Sequence, residues 1–226
     1  MKEEKMVANP LGTADLRRLV FNFSVPAVVS FLMTSLYNVV DQIFIGWGIG
    51  TLGMAATNVS FPLTTVCTAL TLLFGTGGAA VFNISLGRKN DKVAAKTAGN
   101  AFALLAVFGL LLGLITAVFT EPLLYAFGAT EAVMEYAKPY TFVIAFGLPS
   151  QTFAAGAGLI IRADGSPRIA MSSVLAGGVF NLIFDPIFLF VMKMGIIGIA
   201  LATILGQLLS FVIVLWYLLR SSARSR

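Results

Sequence analysis

The chain has 226 residues, of which 58% are hydrophobic and only 11% are charged. Soluble domains carry about 25% charged residues, so the composition excludes an ordinary water-soluble domain and indicates a membrane protein. With no histidine, one cysteine and no nucleophile–base pair, the sequence predicts no enzyme, no cofactor and no intrachain disulfide. The net charge of +5 does not predict nucleic-acid binding, because the basic residues are grouped beside apolar blocks.

Six apolar blocks without lysine or arginine are each long enough to cross about 30 Å of hydrocarbon, which takes about 20 helical residues. Helices are expected because each segment must satisfy its own backbone polar groups inside the bilayer. The second block is too long for one untilted span, and we expect it to extend into the cytoplasm or to kink at Pro62. The blocks are residues 19–45, 55–85, 97–120, 140–161, 169–192 and 198–219.

The sequence therefore predicts an all-α polytopic membrane protein with three regions. Residues 1–18 form a polar N-terminal segment, residues 19–219 a six-helix transmembrane unit, and residues 220–226 a short tail. No cleavable signal precedes the first apolar block, so the first span is expected to serve as the targeting signal.

The positive charges predict the orientation of the six spans. Only Lys138 and Lys193 fall on one side, whereas the other side carries thirteen basic residues, and basic loops face the cytoplasm. Both termini are then cytoplasmic, as an even number of spans requires. The thirteen are Lys2, Lys5, Arg17, Arg18, Arg88, Lys89, Lys92, Lys96, Arg162, Arg168, Arg220, Arg224 and Arg226.

The outer loop at residues 121–138, a glycine-rich stretch and Gln151 each give a local prediction. The loop carries acidic residues and has two interpretations, a short interfacial helix and a solvated acidic connection, of which the second is favoured. The glycine-rich stretch at residues 75–80 predicts close helix contact, and Gln151 is expected to bond a neighbouring helix.

Among the ten acidic residues, only Asp41 and Asp185 fall within the predicted spans. An aspartate near the centre of a span costs about 2.5–3.5 kcal/mol, and less toward its edge. Because no lysine or arginine lies inside a span, a proton, a bound cation or a water-filled cavity must offset that cost. A simpler interpretation also stands for Asp41, which lies near the outer edge and could reach headgroups.

Helical spacing gives the two aspartates polar neighbours. Asn181 lies one turn from Asp185, and Tyr37 and Asn38 share a helix face with Asp41. Thr203 lies about 8 Å into the sixth span, at a similar depth. Carboxylate, amide and hydroxyl oxygens suit a hard cation such as Na⁺, and two neighbouring carboxylates also suit a shared proton. The constellation therefore predicts a site for either ion.

Several motifs resemble those of the multidrug and toxic compound extrusion (MATE) transporters, and they follow one another over nearly the whole chain. They are SVPAVVSFLMTSLYNVVDQIFIG, LGMAATNVSFPL, GTGGAAVFNISLGRKN, IRADGSPRIAM and NLIFDPIFLF. The resemblance implies export of drugs or organic cations driven by inward Na⁺ or H⁺, in a bacterial cytoplasmic (inner) membrane. It is nearest to the bacterial branch with an acid in the first helix.

The resemblance also implies an architecture and a site. Members of the family have two six-helix lobes, and this chain resembles the N-terminal lobe, so a second lobe from a longer chain or another chain is the expected partner. The family's cation site in helices 1, 5 and 6 corresponds here to Asp41, Asn181, Asp185 and Thr203, with Tyr37 and Tyr140 around it.

Two other functions remain open from the sequence. A lipid or lipid-linked sugar flippase of the same superfamily would have the same fold, although the absence of basic residues inside the spans favours cationic substrates. A non-transporting, half-length membrane protein is the second alternative.

Overall fold

The structure is a computed structural model and describes residues 15–224. Residues 1–14, including Lys2 and Lys5 of the predicted N-terminal segment, lie outside the described part, as do residues 225 and 226 of the predicted tail. The described residues fold into helices joined by short turns, with no strand among them.

Eight α-helices and two π-helical turns make up residues 15–224. They are α1 (Leu16–Gly48), α2 (Thr51–Thr71), a π-helical turn (Leu72–Thr76), α3 (Gly77–Gly87), α4 (Asp91–Val118), α5 (Thr120–Ala126), α6 (Glu131–Ala163), α7 (Pro167–Pro186), a second π-helical turn (Ile187–Val191) and α8 (Gly195–Arg224).

The predicted six spans are confirmed within the described residues, where six continuous helical segments are long and apolar enough to cross a membrane. Their ends differ from the prediction because the helices continue past the hydrocarbon: a 33-residue helix is about 50 Å long, against a core of about 30 Å. The largest difference is at residues 131–139, which the sequence predicts as loop and which form the first turns of α6. The spans are Val20–Gly48, Thr51–Gly87, Asp91–Val118, Glu131–Ala163, Pro167–Val191 and Gly195–Arg220.

The second span is one continuous helix of 37 residues. Pro62 lies inside α2 without ending it, and the irregularity comes ten residues later, at the π-helical turn Leu72–Thr76. Transmembrane helices tolerate proline because nearby groups satisfy the carbonyl that it frees. The second span therefore continues through Pro62, and its hydrogen-bonding pattern changes at Leu72–Thr76.

Helix α6 is the central helix of the lobe, and it packs against α2, α4 and α8. Small residues allow this, as the glycine-rich stretch predicts. A Cβ atom on Gly75 would lie 2.9 Å from the Cα of Gly156 on α6, and one on Gly113 of α4 would lie 2.7 Å from the Ala145 carbonyl oxygen. Close approach of backbones is the usual way in which helices associate inside lipid.

Helix α1 is peripheral and packs chiefly on α7. Its contact face includes Met33 and Tyr37, whose side chains lie against Gly178. Its opposite face exposes large apolar side chains such as Phe31 and Leu32. Such a face suits lipid or another apolar partner.

A short helix, α5, follows α4 in the outer loop, which agrees with the interfacial-helix interpretation rather than with the favoured solvated connection. Its Glu121 pairs with Lys138 of α6, with Nζ and Oε2 2.7 Å apart. This pair is half exposed, so it fixes the loop only weakly.

Candidate functional site

Asp41 and Asp185 meet where α1 packs on α7. Asp185 is fully buried at 0% exposure, Asp41 is partly buried, and their carboxyl groups lie within hydrogen-bonding reach of each other. Two ionised carboxylates can only accept hydrogen bonds, so a bond between them requires a proton on one. The alternative for such a pair is a cation between the two groups.

Asn181 and Thr203 join this pair from α7 and α8. The Asn181 amide donates to Asp185 Oδ1 at 3.1 Å and lies 3.4 Å from Thr203 Oγ1. The Thr203 hydroxyl donates to the carbonyl of Ile199 at 3.0 Å, which leaves its lone pairs available to the cluster. Three helices thus contribute oxygen atoms at one depth, as the sequence predicts.

Three oxygens of this cluster are buried without a hydrogen-bond partner in the described part of the chain: Asp41 Oδ1, Asn181 Oδ1 and Asp185 Oδ2. Buried acceptors without a donor cost about 1–3 kcal/mol each, and more when charged. No basic side chain offsets them, because the salt bridge found within residues 15–224 joins Lys138 to Glu121. The donor set is all oxygen, so it fits a proton or a hard cation such as Na⁺ and does not fit a soft metal.

Two tyrosines surround the cluster. Tyr37 lies one turn before Asp41 on α1, close enough for the charge of Asp41 to act on the Tyr37 hydroxyl. Tyr140, on α6, is close enough for the charges of both carboxyl groups and of Tyr37 to act on its hydroxyl. Its ring packs against the buried cluster that includes Ile144. The phenolic hydroxyls are therefore near the carboxyl groups, although no direct hydrogen bond joins them among the described residues.

Asn38 is not brought to the cluster. Its side chain is exposed, and its amide donates to the carbonyl of Thr34 on the same helix at 2.8 Å. The residues of α1 that face α7 are Met33, Tyr37 and Asp41, at intervals of four. Asn38 lies about 100° around the helix from Tyr37, so it points elsewhere.

Two features near the site come from the structure alone. Gln42, beside Asp41, donates to the Thr57 hydroxyl at 3.1 Å and so ties α1 to α2. A cavity of about 260 Å³ lies next to Asn181 and Thr203. An amide next to the intramembrane acid is a weak sequence signal for the first feature, and no pattern in the sequence indicates the second.

The expected interhelical role of Gln151 is confirmed. Its carbonyl oxygen accepts a hydrogen bond from the Gln207 amide of α8 at 3.2 Å. Both side chains line the cavity, so this bond crosses the lobe between α6 and α8.

The fold and the site together define a multi-pass helical membrane protein with a carboxylate pair buried between its helices, an arrangement typical of transporters. The MatE family model matches residues 26–187, so the chain belongs to the MATE family.

Relatives and solved structures agree with this assignment. The chain is 27% identical over 205 residues to the multidrug export protein MepA of Staphylococcus saprophyticus, covering 90% of the chain and 45% of MepA. It is 23% identical over 220 residues to the probable multidrug resistance protein YoeA of Bacillus subtilis, covering 96% of the chain and 48% of YoeA.

Among solved structures, that of the MATE multidrug transporter DinF-BH matches with a TM-score of 0.87 and 33% identity, covering 93% of this chain and 47% of that one. The chain thus spans about half the length of the relatives it matches, as expected for one lobe of a MATE transporter.

Proposed function

We propose that the chain is the ion-coupling lobe of an antiporter that exports amphipathic organic cations in exchange for Na⁺ or H⁺. The observation that carries this proposal is the buried Asp41–Asp185 pair with its unpartnered oxygens. A structural role alone does not account for two adjacent acids in hydrocarbon, because each costs free energy unless a proton or cation is bound.

The chain's own residues supply the ion site. Asp185 and Asn181 hold one side of it from α7, Thr203 closes it from α8, and Asp41 brings α1 to the other side. A proton or Na⁺ held by these residues would offset the charge of the two carboxyl groups and so favour contact between α1 and α7. Loss of the ion leaves two like charges in contact, which favours separation of α1 from α7.

Exchange of ion and drug follows if the drug binds better when α1 is separated from α7. The ion favours the state in which α1 packs against α7, and the drug favours the state in which the two helices separate. Each ligand therefore lowers the affinity of the protein for the other. The coupling free energy is a property of the pair of sites, so it requires the surface on which the drug binds as well as this ion site.

A second six-helix lobe is the proposed partner, because relatives of about twice this length carry the multidrug names. Cationic substrates are favoured over lipid phosphates, because no lysine or arginine of the described residues lines the cavity beside the ion site. We further propose a bacterial cytoplasmic membrane with both termini inside, on the basis of the thirteen basic residues.

The decisive experiment measures drug-driven ion release in membrane vesicles that contain the transporter. We expect an organic cation to release protons or Na⁺ with the native chain and not with Asp185→Asn, which keeps the size of the side chain and removes its charge. Asp164→Asn, a change of the same chemistry outside the spans, is the matched control and is expected to behave like the native chain.

Unchanged ion release by Asp185→Asn refutes the ion site. Lipid scrambling by the native chain without any response to organic cations supports the flippase instead. Absence of both activities in a preparation that contains two lobes leaves the non-transporting interpretation.

A further inference from the structure

A second cavity lies between α4, α5 and α6, at the end of the lobe that carries α5. It is a groove of about 530 Å³ that is open to the surface of the lobe. The groove and the cavity beside Asn181 and Thr203 share no lining residue among those that the structure describes. The groove is lined by Ala117 and Val118 of α4, Thr120 and Glu121 of α5, and Lys138, Pro139 and Phe142 of α6.

The groove crosses the expected boundary between hydrocarbon and headgroups. The apolar block of α4 ends at residue 120, and the apolar block of α6 begins at residue 140. Glu121 and Lys138 therefore lie just outside the hydrocarbon, whereas Val118 and Phe142 lie just inside it. A ligand in this groove meets two opposite charges at one end and apolar side chains at the other.

The apolar wall of the groove continues into the hydrocarbon. Lys138, Phe142 and Phe146 follow one another at intervals of four, so they share one face of α6. The two phenylalanine rings are exposed and meet edge to face, with centroids 5.4 Å apart. On α4, Val118 and Leu114 are exposed one turn apart. A hydrocarbon chain can lie along these side chains.

The two charges of the groove are available to a ligand. Glu121 and Lys138 are paired, with Nζ and Oε2 2.7 Å apart, but their side chains are 49% and 55% exposed. An exposed ion pair contributes little to stability, so a ligand that carries both charges replaces it at small cost. The head of phosphatidylethanolamine has an ammonium group that matches the carboxylate and a phosphate that matches the lysine.

The same charges disfavour the other common phospholipid heads. Phosphatidylglycerol has a net negative charge, which the carboxylate of Glu121 repels. Phosphatidylcholine has a quaternary ammonium group, which has no hydrogen to donate to that carboxylate. The primary ammonium of phosphatidylethanolamine has three hydrogens to donate, as the lysine ammonium does, and can form a charge-assisted hydrogen bond.

We propose that this groove binds one phosphatidylethanolamine molecule of the surrounding leaflet. Glu121 accepts hydrogen bonds from the ammonium group, Lys138 binds the phosphate, and one acyl chain lies along Phe142 and Phe146. The lipid thereby joins α4, α5 and α6 and stabilises a loop that the ion pair alone holds only weakly. This inference does not depend on ion coupling or on drug transport.

The test uses the full chain in detergent micelles with a phosphatidylethanolamine that carries a photoreactive diazirine near the glycerol. We expect light to attach this probe within residues 117–121 or 138–146, as located by peptide mass spectrometry. Unlabelled phosphatidylethanolamine should halve the labelling at about one fifth of the mole fraction that phosphatidylcholine or phosphatidylglycerol requires. This factor corresponds to one net hydrogen bond.

Two variants and one control assign the contacts. In Glu121→Gln the carboxylate is lost, and we expect phosphatidylethanolamine and phosphatidylcholine to compete equally. In Lys138→Gln the phosphate contact is lost, and we expect both lipids to compete about fivefold less well. Lys193→Gln is the matched control, because Lys193 lies at the same end of the lobe, between the fifth and sixth spans, and does not line the groove.

The Glu121→Gln result is a ratio between two lipids on the same variant, so partial misfolding does not imitate it. The proposal is overturned if the probe attaches mainly elsewhere or if phosphatidylglycerol competes better than phosphatidylethanolamine. It is also overturned if the preference between lipids is unchanged in Glu121→Gln. Protection by tetraphenylphosphonium at a lower concentration than the lipid overturns it as well, and shows that the groove binds organic cations.

Discussion

Helices α6 and α1 are both long and apolar, but they differ in how much of each is buried in the lobe. In the most apolar 18-residue stretch of α6, 61% of the residues are buried, against 11% in that of α1. Helix α6 is enclosed by three other spans, whereas α1 packs chiefly on α7 and exposes the rest of its surface. Hydrophobicity alone therefore does not tell which helix forms the framework of the lobe.

The difference matters because the proposed ion site joins the two kinds of helix. Asp185 is on α7, which packs closely against α8, and Asp41 is on the loosely held α1. Elements with few buried contacts open at low free-energy cost. One half of the proposed site therefore lies on a closely packed pair of helices, and the other half lies on the least buried span.

The largest expected difference in the free energy of unfolding is between variants of one leucine on each helix. Leu148 on α6 is 0% exposed, and Leu32 on α1 is 61% exposed. We expect Leu148→Ala to lower the free energy of unfolding by about 2–5 kcal/mol, because it leaves a cavity, and Leu32→Ala to change it by less than about 0.5 kcal/mol. Thermal unfolding in detergent measures both. Equal losses would show that α1 is packed as tightly as α6.

A second test uses two glycines of the second span. Gly75→Ala places a Cβ atom 2.9 Å from the backbone of Gly156 on α6, and we expect a loss of about 1–3 kcal/mol from overpacking. Gly77→Ala meets no atom of the described residues within 4 Å and is expected to stabilise the helix by about 0.5–1 kcal/mol. Unfolding midpoints of the two variants should therefore shift in opposite directions, and a common direction contradicts the close contact.

The third prediction concerns the attachment of α1 to α2. Gln42→Ala removes the hydrogen bond to Thr57, at an expected cost of about 1 kcal/mol, and should increase amide hydrogen exchange near the outer end of α1. Asn38→Ala is the control, because its amide bonds the Thr34 carbonyl of its own helix. If both variants exchange alike, the bond between Gln42 and Thr57 does not hold α1.

The smallest effect lies at the inner end of α6, where burial raises the pKa of the Asp164 carboxyl above its ordinary value. The folded chain then holds this proton more tightly than the unfolded chain, so the group stabilises the fold at low pH. That contribution is lost as the pH rises through the folded-state pKa.

Asp164→Asn is therefore expected to be as stable as the native chain under acid conditions and slightly more stable at neutral pH. Unfolding midpoints measured across this range check the sign. A variant that loses stability only as the pH rises would reverse the assignment.

The number of spans and most of the residues that meet at the candidate ion site could be predicted from the sequence, because each follows from a free-energy cost. Long apolar blocks have no favourable place in water, and an acid such as Asp185 within one of them requires a ligand or partner. The residue pair Asn181 and Asp185 follows from helical spacing, and the contact with Thr203 follows from equal depth.

The parts that could not be predicted depend on packing between helices. Asn38 shares a broad helix face with Asp41, but the line of contact with α7 runs through Met33 and Tyr37 and leaves it outside. The cavity beside Asn181 and Thr203 is lined by five helices, and no pattern in the sequence indicates such a space. The start of α6 at Glu131 could not be located because its first turns are polar and the helix extends beyond the apolar block.

The π-helical turn at Leu72–Thr76 has a consequence for how this lobe varies between species. Each hydrogen bond of a π turn closes one residue later than in an α-helix, so the turn carries one residue more than a regular helix of equal height. In an alignment with a related chain whose second span is α-helical throughout, that residue would stand opposite a gap of one. A relative without it keeps the buried faces of both halves in register, so length variation in the second span is least harmful here.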